Sequence, residues 1–417
     1  MIQQAERREK IYKILKDYAQ RFQNPLSFPI TENNLFSLAS GPLGMVVIYN
    51  EFSKLFSKEK NKKIAHQYLA YCNSKLNNMH LTHSPWFGFE AISTVVQIIS
   101  KNDKRNYENY AKQLDNYIFN MKIIKEYINR LDNLLIQKNV HKHHYDAIYG
   151  MSSLARYMIF RNDNRHYNAF IDVIVSYLTD VLTNDNEQIL NCYIPFHNQT
   201  DMEKQDFPYG HLDLSLSHGI AGPLALLSIY SIHVNQKNQK VINVINDTIQ
   251  LLKKLQMESI DGKIWPKKIQ SFSHQTTHVR NDSWCYGEEG IARALYLASK
   301  AINDKDTENL AINVYKQICS ISPEQIHLQS TTFCHGYAGL AHMFNQMYND
   351  TGINTFKKYG ESLIDYILHI YNEKNKYKEL KKEQEKPGIL EGEGGIMLTL
   401  TSYLLDKNDW DWLFLIN

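Results

Sequence analysis

A short glycine-containing signature recurs along the chain and limits the folds that it can adopt. Each copy has a glycine, two further residues and a second small residue, and an apolar stretch at helical spacing follows. The seven copies begin at Gly41, Gly88, Gly150, Gly219, Gly287, Gly336 and Gly392. Neighbouring copies start roughly 47 to 69 residues apart, enough for a helix, a turn and a second helix. The repeat therefore predicts an all-α protein built from seven helical hairpins.

The glycines also indicate where helices begin. A glycine permits backbone conformations and close approaches that a Cβ atom would block, so a glycine-rich turn suits a helix start. A closed ring of hairpins would bring all seven turns to one end, where chemistry can draw on several repeats. Periodicity by itself also allows an open helical solenoid without a pocket.

Composition excludes several classes of protein. The 417 residues are 43% hydrophobic and 22% charged, which is typical of a globular chain with a sizeable core. The 46 basic and 44 acidic residues give a net charge of +2 and no electrostatic footprint for nucleic acid. Five irregularly spaced cysteines argue against a disulfide framework. Because the sequence shows neither a signal peptide nor an apolar run of membrane-spanning length, we expect a cytoplasmic protein.

Two signature copies carry candidate metal ligands. Cys285 precedes the fifth signature, and Cys334 and His335 precede the sixth. Two thiolates and an imidazole form a donor set that zinc prefers, and three protein ligands leave one position open, as in catalytic zinc sites. The alternative is that both cysteines are small buried hydrophobic residues and His335 is a hydrogen-bonded core histidine.

Three motifs taken together resemble the lanthionine synthetase C-like family, and in particular its class I lantibiotic cyclases. They are Ser217-His218-Gly219, Trp284-Cys285-Tyr286-Gly287 and Cys334-His335-Gly336. The resemblance covers essentially the whole chain, residues 1–417, as a single cyclase domain. It implies an α/α toroid around one zinc ion per chain, held by Cys285, Cys334 and His335. It also implies a reaction in which a peptide cysteine thiolate adds to dehydroalanine or dehydrobutyrine and forms a (methyl)lanthionine ring.

The resemblance assigns catalytic roles to His218 and Asp146. His218 stands beside a helix-start glycine, and its near-neutral intrinsic pKa suits proton transfer. Asp146 lies four residues before Gly150; taken alone it reads as a helix N-cap, whereas the family places an acidic active-site residue there. His218, oriented by Asp146, would remove the thiol proton or protonate the enolate. The nearby His141, His143 and His144 lack a further ligand and are interpreted as loop residues.

Arg280 and Tyr286 are the remaining candidate catalytic residues. The family has an arginine four residues before its zinc cysteine, but that position here is Asn281, with Arg280 one step further away. Arg280 either reaches the family position through a bulge in the loop or forms a surface salt bridge. Tyr286 matches a family tyrosine near zinc, and its alternative is aromatic packing under the turn. Either side chain would stabilise the enolate oxygen.

Two polar segments interrupt the repeat. Residues 184–213 contain two prolines and little helical periodicity, so they are a candidate contribution to an inserted, non-helical extension. Such an extension would contact the substrate peptide or be an inert insertion. Residues 371–387 are rich in lysine and glutamate and are interpreted as a solvated helix face or a mobile loop.

The family resemblance also implies partners. They are a dehydrated precursor peptide with its leader, a dehydratase and an ABC transporter, through which the protein would lie at the inner face of the membrane. Two alternatives remain open: a glutathione-linked lanthionine synthetase-like enzyme, and a non-catalytic helical scaffold with structural zinc. A protein prenyltransferase is disfavoured because no cluster of basic residues for a diphosphate lies near the cysteine motifs.

Overall fold

The computed structural model describes residues 4–76, 82–162, 167–184, 190–259, 262–270, 280–326, 328, 330–372, 386–405 and 407–417. These residues form sixteen α-helices and four short β-strands. The helices are α1 (Gln4–Arg21), α2 (Pro42–Leu55), α3 (Lys58–Asn73), α4 (Gly88–Asn102), α5 (Lys104–Ile118), α6 (Met121–Ile136), α7 (Met151–Arg161), α8 (Asn168–Val181), α9 (Asp201–Asp206), α10 (Ala221–His233), α11 (Gln239–Lys254), α12 (Glu288–Ile302), α13 (Lys305–Ile318), α14 (Tyr337–Thr351), α15 (Asn354–Asn372) and α16 (Glu393–Leu404). The strands are β1 (Leu212–Asp213), β2 (Met257–Ser259), β3 (Gly262–Ile264) and β4 (Lys268–Ile269). The prediction of an all-α protein is confirmed.

Each of the seven glycine signatures starts a helix, as the repeat predicts. Six of these helices are followed at once by a second helix, giving the pairs α2–α3, α4–α5, α7–α8, α10–α11, α12–α13 and α14–α15. The seventh, α16, packs instead against the N-terminal helix α1, and Arg21 of α1 forms an ion pair of 2.6 Å with Glu393. The last hairpin is thus made from the two ends of the sequence. Most of the predicted polar run, residues 373–385, lies outside the described part of the chain.

The two helices of a pair are buried differently. In α10 every residue from Ala221 to Ser231 is buried, so this helix is apolar on all sides. In α11 the buried residues recur at helical spacing along one face: Val241, Val244, Ile245, Thr248, Ile249 and Leu252. Burying one such valine, isoleucine or leucine side chain contributes about 1.5–3 kcal/mol to folding. The apolar stretch after each glycine therefore marks the helix that is buried most completely.

The chain divides into two compact units. The first comprises residues 1–115, 282–284 and 319–411, and the second comprises residues 116–281, 285–318 and 412–417. In the first unit, backbone hydrogen bonds join consecutive signature turns: the N–H of Cys334 donates to Leu390, that of Leu390 to Ala39, and that of Leu38 to Trp86. These turns therefore lie side by side, at the same ends of their helices.

The second unit repeats this arrangement. The N–H of Ala147 donates to the carbonyl of Ser217 at 3.0 Å, and the N–H groups of Leu216 and Ser217 both donate to the carbonyl of Cys285 at 3.2 Å. The turns before α7, α10 and α12 are thus tied edge to edge by their main chains. Because backbone hydrogen bonds fix positions closely, the side chains carried by these three turns have defined relative positions.

Close approach of the main chain explains most of the signature glycines. A Cβ atom at Gly150 would lie 2.2 Å from the backbone nitrogen of Asp146, a distance at which the turn would have to open. Gly88 differs because its φ is +64°, in the left-handed region that favours glycine. Both reasons offered by the sequence therefore apply, but at different copies.

The four strands formed by the described residues belong to the second unit. Strand β1 pairs antiparallel with β4, and β2 pairs antiparallel with β3. The described part of residues 184–213 contains α9 and β1, and its contribution to an inserted extension stays a prediction. The region between α11 and α12 carries β2, β3 and β4, which the repeat pattern does not predict. Among the described residues, no disulfide bond joins any two of the five cysteines.

Among the described residues, no helix combines the length and the apolar character that crossing a membrane requires.

Candidate active site

Asp146 is a fully buried carboxylate that holds the turn before α7. Its Oδ1 atom accepts hydrogen bonds from the N–H groups of Ile148, Tyr149 and Gly150, at 3.0, 2.6 and 2.9 Å. The N-cap of α7 is Gly150, so the interpretation of Asp146 as the helix N-cap is wrong. Three convergent amides bind this oxygen instead, and they fix the orientation of the carboxyl group.

The second oxygen of Asp146 binds His218. Its Oδ2 atom lies 2.6 Å from Nδ1 of His218, and the His218 side chain is 19% exposed. A carboxylate only accepts hydrogen bonds, so it holds the proton of the neutral imidazole on Nδ1 and leaves Nε2 as the free acceptor. The predicted pairing of these two residues, 72 positions apart, is therefore present. An oriented imidazole beside a buried carboxylate can take up and release a proton.

Aromatic rings surround His218. Tyr286 lies with its ring centroid 6.0 Å from that of His218, and Tyr149 stacks nearly parallel to it at 6.3 Å. The His143 ring lies 6.2 Å from His218 and 4.2 Å from Tyr149. Burial lowers the pKa of His143 to about 4, so it is neutral at physiological pH. Sequence reasoning placed His143 in a loop and overlooked Tyr149, although Tyr149 directly precedes a signature glycine.

The other two histidines of the 141–144 segment have local structural roles. The His141 side chain accepts from the N–H of His143, and Nδ1 of His144 accepts from the N–H of His141. These bonds close a short 3₁₀ turn over Lys142–His144. The interpretation of His141 and His144 as loop residues agrees with this turn.

Cys285 belongs to the same cluster of turns in the second unit. Its side chain is buried, with 3% of the residue exposed. Its carbonyl accepts the N–H groups of Leu216 and Ser217 and the Ser217 hydroxyl, so it adjoins the turn that carries His218. Tyr286, the next residue, lies beside His218. Within the second unit, Asp146, His218, Cys285 and Tyr286 are therefore assembled on hydrogen-bonded turns.

Cys334 and His335 lie on a turn of the first unit. Cys334 is 8% exposed and its N–H donates to Leu390 at 2.9 Å, while His335 is half-buried. The residue before Cys334 is Phe333, whose ring centroid lies 6.2 Å from that of Trp284. Trp284 in turn is the residue before Cys285, so each cysteine directly follows one member of a packed aromatic pair.

The three predicted ligands suit a soft metal ion. Cys285, Cys334 and His335 each offer one atom that can bind a metal ion. Two sulfur donors and one imidazole nitrogen match the ligand preference of zinc.

Arg280 forms a buried ion pair. Its Nη2 atom lies 2.7 Å from Oε1 of Glu289, in the first turn of α12, and both side chains are almost inaccessible to solvent. The alternative of a surface salt bridge is therefore wrong, because the pair is buried. Asn281, at the family's arginine position, forms two hydrogen bonds with Glu288. The Asn281 N–H donates to the Glu288 carboxylate, and the Asn281 carbonyl accepts from the Glu288 N–H. Arg280 and Asn281 thus brace the loop before Cys285 against α12.

Comparisons with known proteins agree with the resemblance that the three sequence motifs indicate. The family model described as "Lanthionine synthetase C-like protein" matches residues 32–415. The "Nisin biosynthesis protein NisC" of Lactococcus lactis subsp. lactis is 25% identical over 418 residues, which is 97% of this chain and 94% of that protein. The solved structure "Nisin cyclase" superposes with a TM-score of 0.80 at 21% identity, covering 98% of this chain and 97% of that one. The likeness to this α/α toroid confirms the predicted fold class.

Proposed function

This chain belongs to the lanthionine synthetase C-like family, and on that premise we propose that it is a lantibiotic cyclase. The reaction is the intramolecular addition of peptide cysteine thiolates to dehydroalanine or dehydrobutyrine, which forms lanthionine or methyllanthionine rings. The observation that supports this proposal best is the 2.6 Å contact between His218 and the buried Asp146, on turns hydrogen bonded to that of Cys285. A proton-transfer pair beside a candidate thiolate ligand is the equipment that thioether formation needs.

The proposed metal is one zinc ion per chain, with Cys285, Cys334 and His335 as its ligands. This proposal is supported by the chemistry of the donor set and the burial of both thiols. It is also supported by the packing of Trp284 against Phe333, because Cys285 and Cys334 are the next residues in the sequence. When bound, zinc would supply the positive charge that makes a substrate thiol a thiolate at neutral pH.

His218 is proposed to move the protons of the reaction. Addition forms one carbon–sulfur bond, converts the C=C bond of the dehydro residue into an enolate, and finally places a proton on Cα. The thiol loses one proton and Cα gains one, so the overall reaction consumes none. A neutral imidazole with its Nδ1 proton held by Asp146 presents Nε2 for either transfer, and the buried carboxylate stabilises the imidazolium that forms.

Of the two predicted groups for the enolate, Tyr286 is favoured over Arg280. The Tyr286 ring lies 6.0 Å from that of His218, so its hydroxyl belongs to the same part of the second unit as the proton carrier. The Arg280 guanidinium is engaged by Glu289 and buried with it. We therefore assign Tyr286 the stabilisation of developing negative charge, and Arg280 the support of the loop before Cys285.

The proposed substrate is a dehydrated precursor peptide that carries its leader. A dehydratase must act before this enzyme, because the dehydro residues are its electrophiles. An ABC transporter would take the cyclised product, and a complex with it would hold the protein at the inner face of the membrane. These partners are carried over from the family resemblance alone.

Incubation of the purified protein with a dehydrated precursor tests the activity. Alkylation of free thiols followed by mass spectrometry should show one fewer alkylated cysteine per ring formed. A parallel incubation with glutathione and a dehydroalanine peptide separates intramolecular cyclisation from glutathione transfer. Loss of free thiols only in the glutathione reaction would replace the proposed function by the glutathione-linked alternative.

Metal analysis of single variants tests the ligand assignment. Cys285→Ala and Cys334→Ala should each lose most of the zinc, because each removes one of three ligands. Cys319→Ala makes the same chemical change at a cysteine outside the proposed site and should keep it. His218→Ala should retain zinc but cyclise poorly. Near-stoichiometric zinc in both Cys285→Ala and Cys334→Ala would refute the ligand set.

A further inference from the structure

Glu203 lies outside the proposed catalytic residues, yet it joins the segments that carry two of them. It belongs to α9, in the segment that interrupts the helical repeat, and is 8% exposed. Its Oε2 atom accepts the N–H and the hydroxyl of Thr200 in a capping box, at 2.8 and 2.9 Å. Its Oε1 atom accepts a short hydrogen bond from Lys268 and a second, of 3.3 Å, from Lys142. One carboxylate oxygen thus binds two lysines that come from different parts of the second unit.

Through Lys142, Glu203 is connected to the backbone of Asp146. Lys142 is the first residue of the short 3₁₀ turn. Its carbonyl accepts hydrogen bonds from the N–H groups of Tyr145 and Asp146, at 3.2 and 3.1 Å. The backbone of Asp146 is therefore hydrogen bonded to Lys142, the residue whose ammonium group Glu203 binds. A shift of Lys142 moves the carboxylate that orients His218.

Through Lys268, Glu203 is connected to the turn that carries His218. Lys268 pairs with Asp213 across β1 and β4, and its Nζ atom lies 3.9 Å from Oδ2 of Asp213. Asp213 is fully buried and brackets the histidine turn: its Oδ1 atom accepts the N–H of Ser215 at 2.8 Å, and its carbonyl accepts the N–H of Ile220 at 3.0 Å. The Ser215 hydroxyl accepts the N–H of His218.

The charges of this network balance only when Glu203 is ionised. Burial opposes ionisation of Glu203, but the hydrogen bond from Lys268 and further contacts with Thr200 and Lys142 outweigh it and hold the pKa of the carboxyl well below its usual range. Burial lowers the pKa of the adjacent His211 to about 4, so this histidine is neutral and adds no positive charge. Two lysine cations therefore face two carboxylates, Glu203 and Asp213.

We propose that Glu203 is a positioning residue that sets the His218–Asp146 pair by holding Lys142 and Lys268 on one carboxylate oxygen. This inference rests on the proposed function, because it assigns Glu203 to cyclisation through the two proton-transfer residues. Without that charge, Lys142 loses its contact with this carboxylate and Lys268 keeps Asp213 at 3.9 Å, so the two lysines are no longer held together. A misplacement of about 1 Å in catalytic groups can lower a rate by about 100-fold.

Glu203→Gln keeps an oxygen for the Thr200 capping box, while its NH₂ group replaces the charged oxygen that accepts from Lys142 and Lys268. Glu308→Gln is the matched control: Glu308 also binds two lysines, Lys305 at 2.7 Å and Lys300 at 3.4 Å, in the same unit but on α13. Glu203→Gln should unfold at a lower denaturant concentration than the wild type, because two partly buried lysines lose a carboxylate, but it should stay folded under the assay conditions. Glu308→Gln should unfold close to the wild type. Glu203→Gln should lower kcat for cyclisation by about 10- to 100-fold with KM and zinc content unchanged, whereas Glu308→Gln should leave kcat unaltered.

A measurement without substrate separates this inference from the proposed function. In protein labelled with ¹⁵N-histidine, the His218 Nδ1–H proton bound to Asp146 should give a low-field resonance. We expect it to broaden or shift in Glu203→Gln and to persist unchanged in Glu308→Gln. If wild-type protein cyclises no peptide but this resonance responds, the proposed function fails and the coupling stands. An unchanged resonance together with wild-type kcat in Glu203→Gln, or a loss of stability alone, overturns the inference.

Discussion

Replacing Asp146 by asparagine separates its two tasks. The carboxylate uses Oδ1 to hold three backbone N–H groups and Oδ2 to hold Nδ1 of His218. Asparagine keeps an oxygen for the three amides, but it then places an NH₂ group opposite His218. Two donors cannot share a hydrogen bond, so the imidazole must move its proton to Nε2. The position that has to accept the substrate proton is then blocked.

The expected loss is large in rate and small in stability. An aspartate-to-asparagine change that imposes the wrong histidine tautomer lowers kcat by about 10⁴-fold in a serine protease, and we expect about 10²- to 10⁴-fold here. In barrier height this corresponds to about 3–5 kcal/mol. Asp146→Ala should lose a similar factor in rate. It also leaves three amides of a buried turn without their acceptor, and one such group costs about 1–3 kcal/mol, so we expect a further destabilisation of about 3 kcal/mol.

The assay compares both variants with wild type in cyclisation and in unfolding. Single-turnover cyclisation is followed by thiol alkylation, and unfolding by circular dichroism in urea. Asp146→Asn should unfold close to wild type and cyclise slowly, while Asp146→Ala should unfold at a distinctly lower urea concentration. Wild-type cyclisation by Asp146→Asn would refute the tautomer argument. Equal destabilisation of the two variants would refute the division of labour between the two carboxylate oxygens.

Three further predictions concern the buried charges and the tyrosine. Arg280→Met should destabilise the protein by about 3–5 kcal/mol, because the buried Glu289 carboxylate loses its ion pair with Arg280. The double variant with Glu289→Leu should recover most of this in urea unfolding, and no recovery would contradict the buried pair as its cause. Burial raises the pKa of Glu51 to about 7, so its folded form binds a proton that the unfolded chain releases near pH 4.5. Its contribution to stability is therefore full below about pH 4.5 and lost as pH rises through 7, and Glu51→Gln should remove about 3 kcal/mol of this pH dependence; an unchanged profile would count against the raised pKa. Tyr286→Phe should lower kcat by about 100-fold with zinc retained, and an undiminished rate would exclude its hydroxyl from the reaction.

Much of the fold was predictable because its determinants are local. A glycine that lets the main chain approach closely and the apolar stretch after it act within a few residues, so all seven buried helices could be placed from the sequence. The closing of the last hairpin was not predictable in this way. Its partner is α1, more than 300 residues away, and only packing brings Arg21 to Glu393. The strands between α11 and α12 were also missed, because two- and three-residue strands carry too little alternation to be recognised.

The sequence by itself determined the family, the helical repeat, and the identity of the candidate residues. Residue type and spacing carry that information, as they do for the soft donors Cys285, Cys334 and His335. Tertiary structure decided what the side chains do: Asp146 divides its oxygens between a turn and His218, and Arg280 is buried with Glu289. It also brought Glu203 to Lys142 and Lys268, 61 and 65 positions away. The physical reason is that a hydrogen bond depends on distance and direction in space, and helix packing sets both for residues far apart in the chain.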